Sequence, residues 1–140
     1  MGALSHIAFF VGDLSVMSRF YVDLFGMRIT WQNEEKAYLT TGKLDILGLL
    51  VGDPNLNAER ANIHDLEIDG PSTPNFFHFG FVAERREELN EIIEKLNKKN
   101  IPIVGPKISR DGTVSIYFCD PEGNALQAVL PPRDYFAEPR

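Results

Sequence analysis

The sequence has one cysteine, no excess of basic residues and no long apolar run. Cys119 cannot form a disulfide within the chain, which favours a reducing, cytoplasmic setting. Lys and Arg number 14 against 20 for Asp and Glu, and the net charge of −6 argues against nucleic-acid or anionic membrane partners. No segment approaches the roughly 20 apolar residues of a membrane helix, and the N-terminus lacks the pattern of a signal peptide. Cys119 alternates within an apolar segment, which favours buried packing over a nucleophilic role.

Hydrophobic periodicity predicts two helices and eight strands. An apolar stripe at helical spacing, between a candidate N-cap at Asp13 and a stop at Gly26, predicts the first helix. A second stripe predicts a helix over residues 84–99. Apolar and alternating segments predict strands over the ranges 4–11, 27–32, 36–40, 44–51, 76–82, 101–108, 113–119 and 124–130.

The predicted elements follow the order βαβββ twice. We therefore predict one α+β domain over residues 1–140, with module one at 4–51, a linker at 52–75, module two at 76–130 and a tail at 131–140. Within the linker, a short element is expected near residues 60–68. A module that cannot bury its own sheet face must pair with its copy. The prediction is one curved, mixed, mostly antiparallel sheet whose concave face is a ligand cleft.

Three polar residues stand among apolar neighbours on predicted strands. His6 and His78 head corresponding strands of the two modules, and Gln127 lies in the last strand. A buried polar side chain costs free energy unless it has a partner. The three side chains could satisfy one another through a metal ion or through water, although a single histidine on an apolar face is more often a hydrogen-bonded core residue.

Two motifs resemble the vicinal oxygen chelate superfamily. The segment Asp120-Pro-Glu-Gly-Asn124 with Gln127 resembles its DP-[DE]-G-[NH]-x-x-E signature, and Phe20-Tyr21 with Leu24-Phe25-Gly26-Met27 resembles its first helix. The superfamily contains glyoxalase I, bleomycin-resistance proteins, fosfomycin-resistance thiol transferases and extradiol dioxygenases. The resemblance covers the chain from Leu4 to about Leu130. It implies the fold strongly and any single reaction weakly, because this fold supports many activities.

The resemblance implies metal ligands at His6, His78 and Gln127. A fourth ligand, as in glyoxalase I, would fall at Ile46 by counting from Gly42, and neighbouring Asp45 should point the other way. Three ligands are closer to the dioxygenase and fosfomycin branches. Fe, Mn, Zn or Ni is the implied cofactor, and a metal-free protein is the alternative. Gln127 replaces the expected carboxylate, which leaves the charge of a divalent cation uncompensated.

The leading functional hypothesis is a metal-dependent enzyme of dioxygenase, lyase or transferase type that acts on a small oxygen-rich metabolite or antibiotic. The alternative is a metal-free protein that sequesters a small molecule, as bleomycin-resistance proteins do, and a third possibility is a regulatory subunit. Tyr117 is the candidate catalytic proton donor. The candidate substrate-binding residues, for which core packing is the alternative, are Phe10, Trp31 and Tyr38. The resemblance also implies a homodimer.

Overall fold

The computed structural model describes residues 4–52 and 78–134. These residues divide into two compact units, the first holding residues 4–52 and 120–122, and the second holding residues 78–119 and 123–134. The predicted linker element near 60–68 lies outside the described residues. In chain order the elements are β1 His6–Val11, α1 Leu14–Phe25, β2 Arg28–Gln32, β3 Lys36–Thr40, β4 Ile46–Val51, β5 Phe79–Val82, α2 Arg86–Lys98, β6 Val104–Ile108, β7 Val114–Cys119 and β8 Ala125–Leu130.

The first unit is a four-stranded sheet packed against α1. Its strand order is β1-β4-β3-β2, with β1 parallel to β4 and the other pairs antiparallel. Asp13 caps α1 by accepting a hydrogen bond from the Val16 N–H at 3.0 Å, and Gly26 ends the helix in the left-handed region at φ 64°. The core of this unit includes Val11, Met17, Phe20, Tyr21, Leu24, Leu39, Leu47 and Leu49.

The second unit repeats this arrangement with α2. Its strand order is β5-β8-β7-β6, with β5 parallel to β8 and the other pairs antiparallel. In α2 the acidic residues Glu87 and Glu88 fall in the first turn and Lys95 and Lys98 in the last, which suits the helix dipole. The core of this unit includes Leu89, Leu96, Ile116, Phe118, Leu126 and Ala128.

The predicted α+β class with two βαβββ modules is confirmed. The strands hydrogen-bond as two sheets of four, rather than as the one curved sheet of the prediction. Each sheet takes all four of its strands from one module, and the first strand of each module hydrogen-bonds to the last strand of the same module. No helix in the described part of the chain is long and apolar enough to cross a membrane. The single-domain boundaries stay a prediction.

The turn Asp120–Glu122 belongs to the first unit. Oδ2 of Asp120 accepts a hydrogen bond from the Tyr21 hydroxyl at 2.7 Å, and both residues are buried. The Glu122 carboxylate accepts hydrogen bonds from the backbone N–H groups of Gly12, at 2.7 and 3.0 Å, and Asp13, at 3.0 Å. These are the acidic residues of the sequence signature, and their carboxylates make structural hydrogen bonds.

Candidate functional site

Strand register places three of the predicted site residues on one face of the second sheet. In β8, Gln127 lies opposite Gly80 of β5 on one side and opposite Tyr117 of β7 on the other. His78 immediately precedes β5, two residues before Gly80, and therefore shares the face of Gly80. His78, Tyr117 and Gln127 are all half-buried.

The side-chain amide of Gln127 connects the other two residues. Its Nε2 donates a hydrogen bond to the Tyr117 hydroxyl oxygen at 3.0 Å. Gln127 also hydrogen-bonds the His78 ring, and this bond raises the pKa of His78, which is the effect of an acceptor such as Oε1. The rings of His78 and Tyr117 also meet edge to face, with centroids 5.3 Å apart and planes at 84°. The structure thus brings His78, Gln127 and Tyr117 into one network.

The environment of His78 favours its neutral form. Burial lowers its pKa below the ordinary value of 6.5, and the hydrogen bond with Gln127 partly opposes that effect. A neutral imidazole that donates one ring N–H to an amide oxygen has a fixed tautomer. His78 is therefore held as a neutral, oriented hydrogen-bonding group.

The donor chemistry of this face does not match that of a divalent metal site. Although a neutral imidazole keeps one lone pair on the ring nitrogen that does not donate to Gln127, the Gln127 amide brings no charge to a cation. The eight strands of the described chain contain no Asp or Glu, so no strand residue there can neutralise the cation. In residues 4–52 and 78–134, no group of three or more His, Cys, Asp or Glu side chains is placed to hold a metal.

His6 lies in the first unit, at the start of β1. Its side chain is exposed, and its Nδ1 lies 2.7 Å from the Ser5 hydroxyl oxygen. His6 pairs with Ile46 across the parallel β1–β4 ladder. His6 as a metal ligand stays a prediction.

The strand pairing gives a different counterpart of Gln127 in the first unit from Ile46, which was obtained by counting from Gly42. Ala8 pairs with Gly48 in the first unit as Gly80 pairs with Gln127 in the second. The counterpart of Gln127 is therefore Gly48, two residues after Ile46, and neither carries a donor atom. Asp45 is engaged in its turn, where its carboxylate accepts hydrogen bonds from the hydroxyls of the two preceding threonines at 2.9 and 2.7 Å.

The three predicted substrate-binding aromatics also lie in the first unit. Trp31 pairs directly with Tyr38, and their rings stack with centroids 5.4 Å apart and planes at 29°. Trp31 is 48% exposed and Phe10 is 61% exposed, so packing in a core does not account for either side chain. Phe10 shares the face of His6 on β1. Their role in binding stays a prediction.

Sequence reasoning assigned no role to Gly80. A Cβ at this position would meet the Gln127 carbonyl oxygen at 3.0 Å and the Gln127 Cβ at 3.4 Å. Glycine therefore gives Gln127 the space for its side chain. The signal in the sequence was a glycine inside an apolar strand, which often marks a close approach by a neighbouring chain segment.

The sequence profile of the Glyoxalase/Bleomycin resistance protein/Dioxygenase superfamily matches residues 3–128. Biphenyl-2,3-diol 1,2-dioxygenase 3 of Rhodococcus globerulus is 26% identical over 136 residues, which is 97% of this chain and only 65% of that protein. Metallothiol transferase FosB of Bacillus licheniformis is 28% identical over 126 residues, which is 89% of this chain and 72% of that protein.

The fold is also similar to that of a solved protein. The crystal structure of the fosfomycin resistance protein FosX from Listeria monocytogenes superimposes with a TM-score of 0.70 at 17% identity, covering 96% of this chain and 97% of that one. At this level of identity, the similarity shows the fold alone.

Proposed function

Because the chain belongs to the Glyoxalase/Bleomycin resistance protein/Dioxygenase superfamily, we propose that it binds a small oxygen-rich molecule without a metal ion. The proposed site is the face that carries His78, Tyr117 and Gln127. The observation that carries this proposal is the double hydrogen bond of the Gln127 amide, to Tyr117 at one end and to His78 at the other.

Metal binding at this face would compete with that network. An amide nitrogen does not ligate, so Gln127 could offer a cation only Oε1, which it would have to share with the hydrogen bond to His78. An amide oxygen also brings no charge, whereas hard divalent cations prefer carboxylates. The network instead offers a ligand oriented polar groups on a partly apolar surface, which is the usual composition of a small-molecule site.

The second candidate function is the metal-dependent enzyme of dioxygenase, lyase or transferase type. Similarity to a dioxygenase and to a metallothiol transferase favours it, as do the histidines that stand at the start of β1 and immediately before β5. Its predicted ligands are His6, His78 and Gln127. Its predicted proton donor is Tyr117.

Metal analysis separates the two candidates. The protein is purified without chelators, and bound Fe, Mn, Zn and Ni are measured in the wild type, His78→Ala and Gln127→Glu. Metal-free binding predicts the same small amount of metal in wild type and His78→Ala, and an increase in Gln127→Glu because a carboxylate restores the missing charge. Stoichiometric metal in the wild type that His78→Ala loses would reject this function and establish the second candidate.

A matched control tests whether added charge alone attracts metal. Gln32 is exposed on β2 of the first unit, and Gln32→Glu adds the same charge there. Metal uptake should rise in Gln127→Glu and stay at the wild-type amount in Gln32→Glu. An equal rise in both variants would mean that the metal binds the surface without selecting the site.

We also propose a homodimer, as the resemblance to the superfamily implies. The chain mass is 15.8 kDa. Light scattering during size-exclusion chromatography should give twice that mass, and a mass near one chain would reject the dimer.

A further inference from the structure

We infer that Gln127 directs the phenolic hydrogen of Tyr117 away from the protein and toward the ligand. The site would then select a molecule that presents an acceptor oxygen, such as a carboxylate or a carbonyl group. This inference rests on the proposed function, because it assigns a ligand class to the same face.

The polarity of the Gln127–Tyr117 hydrogen bond is the first step. An amide Nε2 can only donate, so the Tyr117 oxygen must accept across the 3.0 Å contact. A phenol has one hydrogen, and that hydrogen is not used in this bond. It therefore remains to be donated to another group on the same face.

His78 fixes which end of the amide faces Tyr117. If the amide rotated by half a turn, its oxygen would face Tyr117 and its NH₂ group would donate to a ring nitrogen of His78, which would lower the pKa of His78 rather than raise it. The edge-to-face contact of His78 with Tyr117 also restrains the phenol ring, with centroids 5.3 Å apart.

The charge of the second sheet agrees with an acceptor ligand. Strands β5 to β8 contain no carboxylate, and their one charged residue is Lys107. Lys107 pairs with Ser115, which alternates with Tyr117 on the same face of β7. Nothing on these strands would repel an anionic oxygen, whereas a cationic ligand would find no carboxylate there.

A glutamate at position 127 would reverse this polarity. Its carboxylate can only accept, so the Tyr117 hydroxyl would donate to it and the phenolic hydrogen would no longer be available to a ligand. Gln127 is thus a positioning residue that acts through Tyr117. Glutamate and glutamine have nearly the same shape, which makes Gln127→Glu a test of polarity with little change in packing.

The test uses two probes that accept hydrogen bonds but differ in charge. Benzoate is an anion, and acetophenone is a neutral ketone. Binding of each is measured by NMR titration in EDTA, because Gln127→Glu is expected to take up metal, for wild type, Tyr117→Phe, Gln127→Glu and the control Gln32→Glu. Tyr117→Phe should weaken the binding of both probes about tenfold, as expected for the loss of one hydrogen bond. Gln127→Glu should also weaken both, and Gln32→Glu should bind both as the wild type does.

The neutral probe separates polarity from simple charge repulsion. If Gln127→Glu weakened benzoate and left acetophenone unchanged, repulsion would explain the result and the positioning role would be overturned. Unchanged binding in Tyr117→Phe, or a wild type that binds neither probe, would overturn the ligand class. If the protein has been shown to lack metal, each of these outcomes rejects this inference alone. The proposed function is rejected by a different result, namely stoichiometric metal in the wild type that His78→Ala loses.

The NMR signals of the protein without ligand test the hydrogen-bond network directly. The side-chain amide protons of Gln127 should shift upfield in Tyr117→Phe, because Nε2 loses its acceptor there. Unmoved Gln127 signals would mean that the hydrogen bond on which the inference depends does not form.

Discussion

Tyr21, in α1, donates its hydroxyl hydrogen to Oδ2 of Asp120 over 2.7 Å, and both side chains are buried. Burial raises the pKa of Tyr21 well above its ordinary value, and the neighbouring Asp120 carboxylate raises it further. Asp120 also accepts a hydrogen bond from the Glu122 N–H at 3.1 Å. The aspartate of the superfamily signature is thus a buried acceptor that joins the turn 120–122 to the first helix.

Replacing Tyr21 with Phe should destabilise the protein. The change removes a donor from a buried carboxylate, and such a loss costs about 1–3 kcal/mol. Urea denaturation of wild type and Tyr21→Phe measures the free energy of unfolding. Tyr38→Phe is the matched control, because the Tyr38 side chain is only half-buried; equal losses in the two variants would contradict the role of the Asp120 contact.

Replacing Glu122 with Gln should weaken the start of α1. The carboxylate accepts from the N–H groups of Gly12 and Asp13 beside the positive end of the helix dipole. An amide keeps one acceptor oxygen and brings no charge, so we expect a loss of about 1 kcal/mol in the free energy of unfolding. The loss should shrink at high salt, and a salt-independent loss would point to packing instead.

Replacing Gly80 with Ala should disturb the site from the neighbouring strand. The new methyl group would lie 3.0 Å from the Gln127 carbonyl oxygen, so β5 or β8 must shift. We expect a loss of about 1–3 kcal/mol in stability together with moved Gln127 side-chain NMR signals. Gly26→Ala is the comparison, since it strains the backbone at φ 64° without any atom within 4 Å and should leave the Gln127 signals in place.

Protonation of His78 should reduce stability in mild acid. Because burial lowers the pKa of His78 in the folded protein, the unfolded chain binds the proton first as pH falls below about 6.5. The His78 contribution to stability is therefore present above that pH and lost as pH falls toward the folded pKa. NMR titration of the His78 ring, with urea denaturation above and below pH 6.5, measures both effects.

Gln127→Leu should lower the pKa of His78 further. The hydrogen bond that Gln127 accepts raises this pKa in the wild type, so its removal leaves burial unopposed. Gln32→Leu, on an exposed position of β2, should leave the pKa of His78 unchanged. A pKa that rises in Gln127→Leu would contradict the assigned hydrogen bond.

The sequence predicted the elements because local periodicity and turn residues determine them. The first helix begins after Asp13 and ends before Gly26, as the capping residues indicated. The fifth strand was predicted from Phe76, which lies outside the described residues; within them the strand begins at Phe79, where its ladder with Leu126 begins. Strand ends depend on a partner strand, which a single segment does not contain.

The sequence was less informative about what the polar side chains contact. It identified His78, Tyr117 and Gln127 as site candidates, yet it could not show that the Gln127 amide joins the other two. Tyr117 is ten residues from Gln127 and reaches it through the β7–β8 hairpin. His78 is far away in the sequence, and only the parallel pairing of β5 with β8 brings it near. A residue type gives the number of donors and acceptors, whereas the fold decides which neighbours use them.

Gly48, in the first unit, bears on how many ligand molecules each chain can bind. It occupies the register position that Gln127 occupies in the second unit, and it has no side chain to bridge its neighbours. The duplicated halves have therefore diverged into unequal copies. Each chain should take up one ligand molecule rather than two, and a homodimer should saturate at two.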